Sequence, residues 1–327
     1  MGTARPATIR RALALVAASV AGAAAVVGNA AFGNFSAQTQ NGGNQIATKP
    51  DFRAPQVVRA AVAKTVGFDP DFVRQGGSYY VYAQVSDLGN PPSGTASVTA
   101  NVSSLTSGHS AVPLVAGSYA VGGQTYNYRS NALAAANPLA AGTYAFTIAT
   151  ADNAGNAATS TPYSVTVDNT QPQASDVQTQ NLGATPCRAE SGDTVTFTYS
   201  EPIDPQSILA GWDGSPTTVT VRIANAGTGD QLTVRNQANT TQLPIANTLN
   251  LGRTDYVTAT RDFTNSTMQR SGNAIVVKLG TPSGAVSTAA GSGTMTWTVP
   301  TTGAYDRAGN NIMTGIRSEQ GGADCEF

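Results

Sequence analysis

Two copies of one short motif carry the side chains best suited to chemistry. Asp152-Asn153-Ala154-Gly155-Asn156 recurs in the second half as Asp306-Arg307-Ala308-Gly309-Asn310. Each supplies a carboxylate, an amide and a glycine that lets oxygen atoms converge, and hard cations such as Ca²⁺ bind such oxygens. The sequence calls for no cofactor; calcium is the one candidate, and its candidate ligands are Asp152, Asn156 and Asp168. The alternative is an ordinary turn, in which Asp and Asn accept backbone hydrogen bonds and Gly takes a positive φ.

The calcium hypothesis depends on where these residues fall along the chain. Asp152, Asn156 and Asp168 stand near the end of the first half, where we expect a turn and a linker to approach the second half. A cation there would stiffen the hinge around Pro172 and would take no part in catalysis. The second motif, Asp306 to Asn310, has no linker after it, so we expect it to bind calcium more weakly or not at all.

Motifs for catalysis are missing from the sequence. A hydrolase of the nucleophile-elbow kind needs Gly-x-Ser-x-Gly, which does not occur. A zincin needs two histidines on one helix, and His109 is the single histidine of the chain. His109 is interpreted as a loop residue, and the acid pair in Asp69-Pro70-Asp71 as part of a surface loop. The sequence therefore predicts that the protein is not an enzyme.

Two cysteines stand in the second half, Cys187 near its start and Cys325 near its end. An even number of cysteines in an exported chain favours a disulfide, so this pair is predicted to be bonded. Free buried thiols are the alternative.

The two tryptophans are predicted to differ in environment. Trp297 alternates with polar residues in phase with Met295 and Val299, which favours the core. Trp212 follows Gly211 in a more open context and is the candidate ligand-binding residue.

The N-terminus has the pattern of an export signal. Arg5, Arg10 and Arg11 form a basic region without a nearby acid, and an unbroken run of small or apolar residues follows from 12 to 27. Gly28-Asn29-Ala30 then offers small residues at a cleavage site. A membrane anchor is the alternative, but the run is short against the roughly 20 residues that span a bilayer. The pattern predicts a secreted or cell-surface protein with no membrane contact after cleavage.

Composition argues against several other classes of protein. Only 11% of the residues are charged and the formal net charge is −1, without a basic cluster for phosphates, so no nucleic-acid partner is expected. Hydrophobic residues make up 40% of the chain, which is enough for a folded core. Thr, Ser, Asn and Gln supply the polarity, and these residues suit the outer faces of β-sheets.

Short runs alternate between apolar and polar residues, which places the apolar side chains on one face of a strand. The clearest are Ser78–Ser86, Thr95–Val102 and Thr143–Thr150 in the first half, with Thr194–Tyr199 and Thr218–Ile223 in the second. Turn clusters rich in Gly, Pro, Asn and Asp separate them. This pattern predicts an all-β fold of sandwich domains.

Domain boundaries follow from the linker around Pro172, which cannot donate a hydrogen bond to a strand pair. One short helical turn is predicted at Pro205–Ala210. The expected divisions are a signal peptide (1–30), an N-terminal mature segment (31–53) and two β domains (54–171 and 172–327).

Several segments resemble bacterial immunoglobulin-like (Ig-like) domains. Leu139 to Tyr144 resembles the corner that opens strand F, where a Tyr hydroxyl bonds back to the backbone. Asp152–Asn156 is similar to the F–G turn of such domains, and Val167–Pro172 is similar to the linker that joins them. Gly192–Ile203 resembles the opening of another bacterial Ig-like type. The resemblance is to exported actinobacterial Ig-like proteins of unassigned function; it implies two tandem Ig-like sandwiches and, as in related arrays, a turn facing the linker residue Asp168.

A weaker resemblance concerns the predicted mature N-terminus. Ala31–Ser36 with Asn41–Asn44 is similar to the segment after the signal in camelysin-type matrix proteins, although the usual Ala-Gly-Thr-Leu continuation is missing.

We therefore expect a secreted, non-enzymatic Ig-like protein of the cell surface or extracellular matrix, with a structural or adhesive role. The first alternative is a module that binds cell-wall polymer or glycan, and the second is a subunit of an extracellular fibre. Expected partners are wall polymer, glycan or other surface proteins.

Overall fold

The computed structural model describes residues 51–327, together with the backbone of 39–41 and 44–46. The predicted export signal, residues 1–30, lies outside the described residues. Almost all of the regular secondary structure among the described residues is β-strand, and apart from the short pair at 39–46 the strands form two large sheets that divide the chain between Val167 and Ala174. The predicted all-β, two-domain fold is confirmed. No helix in the described ranges is long and apolar enough to cross a membrane.

The first domain is a ten-stranded sheet with the order β3-β5-β8-β7-β6-β10-β12-β4, to which β9 and β11 add at the sides. Its first strand contacts β12 and β4, so the sheet closes on itself as a sandwich-like body. A separate pair, β1 and β2, precedes it. The strands are β1 Thr39–Asn41, β2 Asn44–Ile46, β3 Gln56–Lys64, β4 Phe72–Val73, β5 Ser78–Ser86, β6 Thr95–Asn101, β7 Val112–Val121, β8 Gln124–Ser130, β9 Leu133–Ala134, β10 Gly142–Asp152, β11 Ala157–Thr159 and β12 Tyr163–Val167.

The second domain has the order β13-β14-β19-β18-β15-β16-β17-β21-β22, with β20 paired to β18. Its end strands β13 and β22 also contact each other. The elements are β13 Ala174–Gln180, β14 Thr194–Tyr199, α1 Pro205–Ile208, β15 Thr217–Ala224, β16 Gln231–Asn236, β17 Thr248–Asn250, β18 Arg261–Ser271, β19 Ala274–Lys278, β20 Thr281–Pro282, β21 Thr296–Thr298 and β22 Ile316–Ser318.

Alternating residues fill each core, as the sequence predicts. On β10, Phe146 and Ile148 are buried while Thr147 between them is partly exposed. In the second domain Trp297 is fully buried, and its ring packs edge-on against Phe197 and Tyr199, with ring centroids 5.1 Å apart in both cases. Aromatic pairs of this geometry add stability beyond the area they bury.

Two further local predictions are confirmed. The Tyr144 hydroxyl donates a hydrogen bond to the Ala140 carbonyl at 3.0 Å, which is the contact expected of a tyrosine corner. Cys187 and Cys325 form a disulfide, with their Cα atoms 5.1 Å apart. The bond fastens the segment after β22 to the loop between β13 and β14.

Candidate functional site

The structure separates the three residues predicted to hold calcium. Gly142, at the start of β10, pairs with Val167, so Asp168 lies beside that end of the strand. Asp152 ends the same strand, which is 11 residues long. At a rise of about 3.3 Å per residue, the two acids are roughly 30 Å apart. The prediction that Asp152, Asn156 and Asp168 form one site is therefore wrong, because an antiparallel pairing carries the linker to the opposite end of β10.

Asp152 instead joins an acidic cluster at the far end of the first domain. Carboxylate oxygens of Asp51, Asp87 and Asp152 lie within 4.8 Å of one another. Oδ1 of Asp152 accepts a hydrogen bond from the Asn156 backbone N–H, and Oδ2 accepts from the Asn156 side chain, both at 2.7 Å. Burial opposes ionisation of Asp152, but these bonds outweigh it and hold its pKa below the ordinary value.

Asp168 joins a second cluster, which we call the linker cluster: Asp168, Glu201 and Asp306. Their carboxylate oxygens also lie within 4.8 Å of one another. Burial, followed by the charges of Asp168 and Asp306, raises the pKa of Glu201 to about 8. Burial also raises the pKa of Asp306, although hydrogen bonds from Asn310 and Gly309 oppose the shift.

The two clusters are built alike. The Asn156 side-chain amide donates to the Asp51 backbone carbonyl at 3.0 Å, and the Asn310 amide donates to the Asp168 carbonyl at 2.9 Å. In both domains, the Asn of the motif thus donates a hydrogen bond to the backbone carbonyl of the acidic residue that precedes its own domain. The motif match in the sequence therefore reflects a structural repeat that each domain carries at its N-terminal end.

This arrangement exchanges the expected positions of the two motifs relative to the linker. The second copy, Asp306 to Asn310, faces the linker between the domains, whereas the first copy lies at the far end of the molecule. Gly155 and Gly309 have φ values of 80° and 94°, and both acids accept backbone hydrogen bonds from their own turns, as the ordinary-turn interpretation requires. Three carboxylates also fit a hard cation, so the residues that would hold calcium at the junction are those of the linker cluster. Calcium binding there stays a prediction.

A buried ion pair lies between the two domains. Nζ of Lys64, at the end of β3, lies 2.5 Å from Oδ2 of Asp204, just before α1. The two side chains are 8% and 0% exposed. Lys64 also donates to the Arg307 carbonyl at 2.6 Å. Because an isolated buried charge is costly, each group depends on its partner in the other domain.

Backbone donors complete the environment of Asp204. Its carboxylate accepts hydrogen bonds from the N–H groups of Phe68 and Asp69 in the first domain, and from Gln206 at the start of α1. The neighbouring Gly67 has a φ of 137°, and a Cβ atom there would lie 2.8 Å from Asp204 Oδ2. A residue with a side chain would therefore prevent this close approach of the two domains.

A second ion pair lies beside the first. Arg270 on β18 binds the Asp69 carboxylate with two nitrogens, the longer contact being 3.1 Å, and also donates to the Ile203 carbonyl. The Arg307 guanidinium lies 3.9 Å from the centre of the Phe72 ring. The interpretation of Asp69-Pro70-Asp71 as a surface loop is therefore wrong for Asp69, which belongs to the domain junction.

Trp212, predicted as a ligand contact, is also placed differently. Only 5% of its surface is exposed, and it belongs to the core of the second domain. Its indole N–H donates to the Ser215 carbonyl at 2.6 Å. The turn closes over the ring, so Trp212 has no exposed face for a ligand. His109 lies in a loop as predicted, where its Nδ1 atom is 3.0 Å from the Ser107 carbonyl oxygen.

Comparison with known proteins adds no family to this description. No protein-family model matches the chain, and no curated protein matches it.

The junction residues Lys64, Asp204 and Arg270 were missed by sequence reasoning. The one available signal was the segment Ser200-Glu201-Pro202-Ile203-Asp204-Pro205, in which an acid directly precedes a helix-starting proline.

Proposed function

We propose that the protein is an exported, non-enzymatic module of the cell surface or extracellular matrix, in which two Ig-like β domains form one stiff unit. Its role is structural or adhesive: it holds a binding surface or a neighbouring domain at a set distance and angle. The observation that carries the proposal is the buried Lys64–Asp204 pair, which joins the domains through charges that neither domain can bury alone.

The arrangement of polar groups favours a structural role over catalysis. At the junction the carboxylate of Asp204 is fully occupied by Lys64 and by backbone donors. Asp69 is likewise bound by Arg270. A catalytic cleft needs groups that can reach a substrate, whereas these charged groups bind each other.

Export is supported by the predicted signal at residues 1–30 and by the disulfide between Cys187 and Cys325. Disulfides persist in oxidising compartments and are rare in the reducing cytosol.

Fractionation of the native cells tests the location. The protein is expected in the medium or the wall fraction, with an N-terminus near Ala31. Recovery of intact Met1 in the cytoplasmic or membrane fraction would overturn the export part of the proposal.

Small-angle X-ray scattering tests stiffness. The wild-type chain is expected to give the narrow distance distribution of one conformation, and Asp204→Ala to give a broader one with a larger maximum dimension. The matched control is Asp262→Ala, which removes a partly exposed ion pair with Arg222 within the second domain. Identical profiles for wild type and Asp204→Ala would contradict a junction held by this pair.

A glycan-binding role is the second candidate, and one surface favours it. Tyr80, Tyr82, Arg129 and Gln206 line a cleft of about 410 Å³ between the domains. The Arg129 guanidinium lies 4.2 Å from the centre of the Tyr80 ring, so a cation and aromatic side chains stand together at the cleft. Binding clefts for small ligands combine aromatic side chains with a few polar groups in this way. Loss of sedimentation with purified wall polysaccharide in Tyr80→Ala, but not in His109→Ala, would support this role.

A further inference from the structure

We infer that Glu319, Asp324 and Glu326 form a binding site for a divalent, oxygen-coordinating cation of the Ca²⁺ class, beside the disulfide of the second domain. This site is separate from the linker cluster and from the acids around Asp152. It does not depend on the proposed surface role.

The geometry of the three acids suits such an ion. One carboxylate oxygen from each lies within 4.8 Å of those of the other two. Oxygens on opposite sides of a Ca²⁺ ion lie up to about 4.8 Å apart, since each Ca–O distance is about 2.4 Å. Three protein carboxylates favour Ca²⁺ over Mg²⁺, because Mg²⁺ keeps several waters and is usually held by one or two carboxylates.

An unpartnered oxygen points independently to a ligand. Glu326 is 1% exposed, and no donor group meets its Oε1 atom. The cluster side chain that interacts with the Glu326 carboxyl is another acid, Glu319. Its Oε2 accepts from the Thr179 hydroxyl at 2.6 Å, which fixes the carboxylate in place. An ionised oxygen in such surroundings costs free energy unless a cation or a donor meets it.

No protein cation supplies that partner. Among the described residues, none of the five ion pairs includes Glu319, Asp324 or Glu326. The charges acting on Glu319 from Asp324 and Asp176 are of its own sign.

The surrounding contacts hold the site ready and leave it open to solvent. Oε1 of Glu319 accepts from the Met295 backbone N–H at 3.0 Å, and the Glu326 backbone N–H donates to the Tyr256 hydroxyl at 2.7 Å. Asp324 is exposed, so an ion can enter from its side. Because Cys325 lies between two of the ligands, a bound cation would tie the disulfide-linked segment to β21 and to the core.

Isothermal titration of the oxidised full chain with CaCl₂, after removal of metals, tests this site. Asp324→Asn is the main variant, because its exposed side chain can lose charge without disturbing the core; Glu326→Gln is the second. Each is expected to weaken one binding event at least tenfold, while Asp87→Asn, from the far cluster, leaves that event unchanged. Unchanged binding in both Asp324→Asn and Glu326→Gln, or no binding to the wild type, would overturn the inference.

Terbium luminescence gives a readout of position. With Tb³⁺ as the probe, excitation of Tyr256 should sensitise emission from an ion held at Glu326, and Ca²⁺ should compete it away. Tyr256→Phe should reduce that emission severalfold while Ca²⁺ affinity is retained. Equal emission from Tyr256→Phe and wild type would place the ion elsewhere and contradict the assignment.

Discussion

Lys64 and Asp204 meet at 2.5 Å across the boundary between the two domains, and both side chains are buried. Lys64 ends a strand of the first domain, whereas Asp204 caps a one-turn helix of the second. The two buried charges are therefore paired only when the domains keep this relative orientation.

Removal of either partner is expected to destabilise the chain strongly. Lys64→Met or Asp204→Asn should lower the free energy of unfolding by about 3–5 kcal/mol, because each leaves the other group buried and unpaired. Equilibrium denaturation with urea would measure this loss. The control is Asp262→Asn, whose pair with Arg222 is about one third exposed and should be worth no more than about 1 kcal/mol. An equal loss of unfolding free energy at the two ion pairs would contradict a special role for the buried pair at the junction.

Calcium is predicted to act on the junction through the linker cluster. At a hundredfold excess over its Kd, a bound ion would add about 2.7 kcal/mol. Thermal unfolding in CaCl₂ and in chelator measures the shift, with Asp324→Asn as the background so that the site near the disulfide does not contribute. Asp168→Ala should remove the shift and Asp87→Asn should not. Unfolding that is the same with and without calcium would leave both motifs as ordinary turns.

Asp71 is expected to give the first domain a distinct pH dependence. Burial raises its pKa to about 6, which a hydrogen bond from the Val62 N–H opposes only in part. The folded state therefore binds this proton more tightly than the unfolded chain, so stability falls as pH rises from about 4 to 6. Asp71→Asn should flatten that slope. At pH 7 it should raise the free energy of unfolding by about 1 kcal/mol, a value that is discounted for the partial exposure of the side chain.

Asparagine suits this position, because Asp71 has a φ of 64° and Asn tolerates that conformation. Urea denaturation between pH 4 and 8 would measure how the free energy of unfolding of the first domain depends on pH. An unchanged pH slope in Asp71→Asn would assign the dependence to another group.

Reduction of the disulfide should destabilise the second domain selectively. The bonded cysteines are 138 residues apart, and closing a loop of that size restricts the unfolded chain by about 4–5 kcal/mol on an entropy argument. Calorimetry of Cys187→Ala/Cys325→Ala should show a lower melting temperature for the second domain. A similar shift in the first domain would mean instead that the two domains unfold together.

Much of the fold follows directly from the sequence. The predicted run Ser78–Ser86 is β5 itself, and Trp297 is buried as its alternation with polar neighbours requires. This works because successive side chains of a strand point to opposite faces, so composition and spacing reveal which residues face inward. The helical turn at Pro205 and the disulfide were likewise predicted, since capping chemistry and an even cysteine count are local or compositional signals.

Only the tertiary structure decided which acids meet. Asp168 contacts the motif that contains Asp306 and not the one that contains Asp152, because the two ends of β10 are separated by its whole length. Trp212 was judged open from its glycine neighbours, yet the turn folds back over it. The Lys64–Asp204 pair joins residues far apart in the chain, and no periodicity records such a contact. Strand formation depends on near neighbours, whereas a site depends on how strands, turns and domains are brought together in space.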